Sequence, residues 1–184
     1  MIITITGKPC SGKGTVSKIF CKKYNFEYIC TGDMFRNIAK EYGYETVLDF
    51  QQNYPNIEQI DNIIDDKTKQ IGINRKNDNI VIDSRLAWNF VPDSYKVFID
   101  VDWNTAGERL LNAGRQNEQA ANLEEATKEL KDRWQTENER YTRIYTINNL
   151  NLKNYDLVIS STNLTPEEIA DEIYENYKKF MLKA

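Results

Sequence analysis

Histidine is absent from this 184-residue chain, so no imidazole is available to take a proton from an attacking group. Cysteine is scarce and odd in number. Cys10, Cys21 and Cys30 contain no CxxC pair, which argues against a disulfide framework and a zinc site. No apolar run approaches the length that spans a bilayer. The opening MIITITGKP lacks the basic segment, apolar stretch and cleavage site of a secretory signal. A soluble cytoplasmic protein with no membrane partner is expected. Basic charge is also short, with a net charge of −4, which speaks against a nucleic-acid surface. An anionic ligand would need cations gathered locally, so the positions of the arginines are informative. What is present is ordinary: 40% apolar and 28% charged residues, enough for one domain with a real core. No repeat or low-complexity linker interrupts it.

Short β-branched runs alternate with helical periodicities. Strands are expected at 1–6, 27–30, 79–83, 95–101 and 155–159. Between them, helices are expected at 13–24 (through Val16, Ile19 and Phe20), 33–42 and 104–112. The polar stretch 45–76 is read as helical, with moderate periodicity through Ile57, Ile60, Ile64 and Ile71. Asn122 should cap a long helix running to Tyr145, with Glu125 completing a capping box and Leu130, Trp134, Tyr141 and Ile144 on its apolar side. Thr165, Pro166 and Glu168 signal the start of a last helix that buries Ile169, Ile173, Tyr177 and Phe180. Alternation of this kind implies an α/β fold: a five-stranded parallel sheet covered by helices on both faces.

The segment Gly7-Lys8-Pro9-Cys10-Ser11-Gly12-Lys13-Gly14-Thr15 lies between the first strand and the first helix, the context a phosphate-binding loop requires. Its glycines let backbone N–H groups turn around a polyphosphate, the helix adds its positive end, and Lys13 supplies a point charge. Lys13 is read as an exposed loop lysine that contributes little to packing. The general pattern has Ser or Thr directly after the lysine. Here Gly14 intervenes, and Thr15 is the possible metal-side hydroxyl.

After the second strand comes Thr31-Gly32-Asp33-Met34-Phe35-Arg36, and Asp83-Ser84-Arg85 ends the third. Arg133, Glu137 and Arg140 share one face of the long helix, since seven residues is nearly two turns. With the GKGT loop, these segments resemble the nucleoside monophosphate kinases, and among them the short cytidylate-kinase-like proteins. That resemblance implies a P-loop three-layer fold in one domain (1–184), with an acceptor-binding subdomain near 31–75 and a short lid near 114–133. It implies that Gly7 and Pro9 to Thr15 bind ATP with Mg2+, and that Thr31, Gly32, Asp33, Arg36, Asp83 and Arg85 face the acceptor nucleotide. Asp33 would belong to the water shell around the metal. Lys13, Arg36, Arg85, Arg115, Arg133 and Arg140 would surround the transferring group. The chain departs from the family at Ser84, where a glycine is usual, and at Leu86, where some bacterial members carry an aspartate. It also lacks the Gly-x-Leu-Val segment with which adenylate kinases hold adenine, so CMP or dCMP is the favoured acceptor and a monomer is expected. An adenylate kinase-like enzyme, a kinase acting on a hydroxyl group with Asp33 or Asp83 as base, and a nucleotide-binding sensor with little catalysis stay open as alternatives.

Overall fold

The computed structural model describes residues 1–45, 49–50, 53–113 and 120–182. Strand β1 (Ile2–Gly7) is buried along its whole length, as expected of a β-branched run in the middle of a parallel sheet. Around it lie β2 (Glu27–Cys30), β3 (Ile80–Asp83), β4 (Tyr95–Asp100) and β5 (Leu157–Ser160). All pairings are parallel, in the order β2-β3-β1-β4-β5. Because neighbours run in one direction, their carboxyl ends share an edge. In register, Asp83 lies beside Ile5 of β1 and Cys30 of β2.

Side chains alternate across β1 and so feed two cores. On one face, Ile3 and Ile5 pack with Val16 and Phe20 of α1 (Lys13–Tyr24) and with Ile169 and Ile173 of α7 (Pro166–Met181). Each such side chain contributes roughly 1.5–3 kcal/mol by leaving water. On the other face, Ile2, Ile80 and Ile82 meet Ala87 and Val91, beside α4 (Ala87–Phe90). Trp88, Phe98, Trp134 and Tyr155 continue that layer. It ends in α5 (Trp103–Asn112) against α6 (Leu123–Tyr145) through Ala106, Leu110, Ala126 and Leu130. A separate small core holds α2 (Thr31–Glu41) to α3 (Ile57–Asn74) through Ile38, Ala39, Phe50, Ile60 and Ile64.

Several expectations are corrected. The polar stretch 45–76 is not one helix. Pro55 lies in a turn, where its missing N–H and its restriction of Tyr54 end helical pairing, and α3 starts at Ile57. Helix α2 starts at Thr31, not Asp33. Helix α4 was not expected, since four residues carry no periodicity. It is held by Ser84, whose Oγ accepts from the backbone N–H groups of Leu86 and Ala87, both at 3.2 Å. A glycine could not do this, which gives the departure at Ser84 a local reason. Ile144 is 39% exposed rather than buried, because the last turns of α6 leave the sheet and reach across to α3 through Arg140 and Tyr145. Phe180 is only partly buried. Thr165 and Glu168 form the expected reciprocal box. Asn122 accepts from the Glu125 N–H, but the Glu125 carboxylate takes the Ala121 N–H at 3.0 Å instead of that of Asn122, so the box expected there is only half formed.

One glycine ties the fold directly to the site. A Cβ at Gly7 would stand 2.3 Å from the Ile99 carbonyl oxygen of β4. Gly7→Ala is therefore expected to push the start of the loop away from the sheet, at a cost of about 1–3 kcal/mol. A lowered melting temperature together with weakened ATP binding, read by calorimetry and titration, checks this. An unchanged melting temperature would show that the strand edge yields.

Candidate active site

The loop from Gly7 to Gly12 takes its shape from backbone conformations rare for side-chain-bearing residues. Cys10 (φ 58°) and Gly12 (φ 79°) are both left-handed, so N–H groups on either side can turn toward one centre. Gly12 precedes α1 with no side-chain cap. The first N–H groups of that helix, which have no intrahelical partners, are thus left for an anion. Two cations pin the loop from behind. Lys8 bonds Asp100 at 2.7 Å and the Val101 carbonyl at 3.1 Å, over the Trp103 ring. Arg109 donates to the Cys10 carbonyl at 3.2 Å and the Ser161 carbonyl at 2.6 Å. Neither was singled out as a site residue from the sequence, because each acts through chain segments about a hundred or fifty residues away.

Lys13 is not an exposed loop lysine. Its side chain is 20% exposed and forms an ion pair with Asp83, which is 4% exposed. Burial, and then the repulsion of Arg85, draws the Lys13 ammonium toward proton loss, with Glu137 among the charges that oppose it. Tyr28 donates to the second oxygen of Asp83 at 3.0 Å. The carboxylate that ends β3 therefore stands under the phosphate loop with both oxygens engaged.

Thr15, Thr31, Gly32, Asp33, Arg36, Asp83, Ser84, Arg85 and Arg133 line one cleft with the loop residues Pro9, Cys10, Ser11, Gly12, Lys13 and Gly14, about 540 Å³ in volume. Arg36 pairs with Asp33, whose carboxyl it holds below the usual range. Arg85 donates to the Gly7 carbonyl, approaches Glu137 at 3.3 Å and lies over the Trp134 ring. Arg133 bonds Glu137 at 3.1 Å. A second pocket of about 250 Å³ opens from the first and shares Thr31, Gly32, Arg36, Ser84, Arg85 and Arg133 with it. Arg140 lines only this second pocket, paired with Asp61 of α3. Arg115 lies outside the described residues, as does the start of the expected lid.

The second pocket also contains Asp65, which accepts from the Tyr145 hydroxyl at 2.5 Å and whose carboxyl burial pushes upward. Asp61, Asp65 and Tyr145 were missed as site residues. A signal existed: Asp61 and Asp65 are four apart beside Ile60 and Ile64, which places acids next to the apolar stripe of α3 rather than on its solvent side.

Residues 3–140 match the family model described as an AAA domain. The S-adenosylmethionine-dependent nucleotide dehydratase of Lacinutrix mariniflava is 35% identical over 177 residues, covering 96% of this chain and 36% of that protein. This chain thus spans about a third of the dehydratase's length. The cytidylate kinase of Methanocaldococcus jannaschii is 31% identical over 183 residues, covering 97% of this chain and 100% of that one. The shikimate kinase of Aquifex aeolicus superposes with a TM-score of 0.63 at 19% identity, over 100% of both chains, a likeness of fold alone. With its phosphate loop, its parallel sheet and a full-length match, the chain belongs to the family of P-loop phosphotransferases that includes the archaeal cytidylate kinases.

Proposed function

We propose that the protein is a nucleoside monophosphate kinase that transfers the γ-phosphoryl group of ATP to CMP or dCMP. One observation carries the reading: Arg36, Arg85 and Arg133 sit where the phosphate-loop cleft and the second pocket meet. A donor polyphosphate on the loop and an acceptor in the second pocket would bring their phosphates together at these three guanidinium groups. Phosphoryl transfer depends mainly on positioning and charge neutralisation, and arginine bonds phosphate oxygens in pairs. The cytidylate kinase relative supports the base assignment, and the nucleotide dehydratase relative supports a nucleotide as substrate.

In this reading Lys13 and the start of α1 hold the donor, and Arg36 and Arg85 hold the acceptor phosphate. Their present carboxylate partners, Asp83, Asp33 and Glu137, would be exchanged for phosphate oxygens when substrates enter. The lid expected from 114 onward would bring Arg115 and exclude water as it closes, with Leu123 to Arg133 staying packed in α6 against α5. Thr15, Asp33 and Asp83 line the loop cleft with oxygen donors of the kind magnesium takes. No group of three or more metal-ligating side chains forms among the described residues, so an ion here would depend on nucleotide phosphates and water. Bound with ATP, magnesium would supply charge compensation for the transferring group.

The test is ADP release from ATP and magnesium with CMP, dCMP, UMP, AMP, GMP and dTMP offered separately. CMP and dCMP should be the best acceptors, UMP weaker and AMP poor. An AMP preference of about tenfold in kcat/KM, roughly 1.4 kcal/mol, would overturn the base assignment and leave the kinase reading. ATP binding with no acceptor-dependent ADP release would instead favour the sensor.

A further inference from the structure

The second pocket is electrically two-ended. Arg36, Arg85 and Arg133 crowd the end it shares with the phosphate loop. Asp61 and Asp65 come to it from α3, and neither lines the phosphate-loop cleft. The lining also holds the apolar and aromatic side chains Phe35, Ile64, Leu86 and Tyr141, together with Glu137, which pairs with Arg85 and Arg133, and Arg140, which pairs with Asp61. A flat heterocycle suits such walls, with an anion at the basic end and a hydrogen-bond donor toward the acids.

We propose that Asp65, with Asp61 beside it, selects the acceptor base by accepting a hydrogen bond from its exocyclic amine. The inference rests on the nucleoside monophosphate kinase reading and names what fixes its base. An ionised carboxylate only accepts. Cytosine offers it an N–H donor at position 4, whereas uracil and thymine place a carbonyl oxygen there, lone pair against lone pair. The wrong base would leave a partly buried carboxylate facing an acceptor, the costly arrangement for a desolvated polar group. Asp65 is held in place by the Tyr145 hydroxyl, and Asp61 by Arg140. Arg140 is then a positioning residue for the base end, which accounts for its place away from the phosphate loop. The Leu86 side chain contributes an apolar wall and has no group to hydrogen-bond the base.

Asp65→Asn and Asp61→Asn test this, each assayed with CMP and UMP. A carboxamide keeps the shape and presents N–H groups that uracil O4 can accept. At least one variant should lower the ratio of kcat/KM for CMP over UMP by about tenfold or more, mainly through the acceptor KM, with the KM for ATP unchanged. Equilibrium binding of CMP and UMP should show the same fall in preference without turnover, and a melting curve close to the unaltered protein's secures the fold. If both folded variants keep the CMP:UMP ratio, or lose both acceptors equally, the carboxylates do not read the base, although the kinase reading stands. If the unaltered protein phosphorylates no nucleoside monophosphate at all, the underlying reading falls and this inference falls with it.

Discussion

Lys13→Met is expected to lower turnover by about a hundredfold or more, the loss typical of one well-placed charge at a transition state, and to lower the melting temperature as well. The second effect follows from the tertiary structure. Asp83 is 4% exposed and its first oxygen faces the Lys13 ammonium, with the Tyr28 hydroxyl on the second. Methionine would leave a buried carboxylate with one neutral partner. Breaking a buried pair from one side costs roughly 3–5 kcal/mol; with Lys13 itself partly exposed, the lower end applies, or about 6–12 °C for a chain of this length. The double variant Lys13→Met/Asp83→Asn removes the stranded charge and should recover most of the stability while turnover stays lost. Turnover close to normal in the single variant would take the phosphate loop out of the mechanism. An unchanged melting temperature would show that Asp83 is served by water rather than by Lys13.

Free cytidine is expected to be a negligible acceptor, slower by about a thousandfold or more, where CMP reacts fast. A hydroxyl must lose its proton on attack, and a positioned base typically contributes 10²–10⁴-fold. The chain has no histidine, which leaves Asp33 and Asp83 as the carboxylates in the loop cleft that a hydroxyl acceptor would have to use. A nucleotide phosphate needs no base, because its second pKa is about 6 and near pH 7 it is mostly a dianion. The pH profile separates the cases. Arg36 holds the Asp33 carboxyl below the ordinary carboxylate range, so this group as base would give an acid limb below that range. The acceptor phosphate as nucleophile gives a limb rising through about pH 6. Its position should follow an acceptor analogue with a more acidic phosphate. Strong phosphorylation of cytidine, or a limb that ignores the acceptor and moves in Asp33→Asn, would favour a kinase acting on hydroxyl groups.

The parts of the site legible in the sequence are those that act through local backbone. The run from Gly7 to Thr15 carries its meaning in glycine spacing and in its place between a strand and a helix. Both survive in the structure as left-handed Cys10 and Gly12 leading into an uncapped α1. The strand–helix alternation likewise sufficed for a five-stranded parallel sheet, because β-branched runs and capped amphipathic segments are each read within a dozen residues. Two of the differences came where one residue overrode a pattern: Pro55 broke the stretch before α3, and Ser84 held the unexpected α4.

Partner choice was not legible in this way. Which carboxylate meets Lys13 depends on β3 lying beside β1, 70 residues away in sequence. The pairs of α6 with α3, Arg140 to Asp61 and Tyr145 to Asp65, span about 80 residues, and no spacing rule reaches that far. From the sequence, Arg140 is one of a row of cations on a helix face, and Asp61 and Asp65 are acids in a polar stretch. Only the packing of α6 over α3 brings them to one pocket. The sequence by itself determined the chemistry of the phosphate loop, because a short backbone motif binds an anion wherever it folds. The tertiary structure decided which charges are buried together and which line the second pocket, because Coulomb and desolvation energies depend on distance and depth, which chain order does not record.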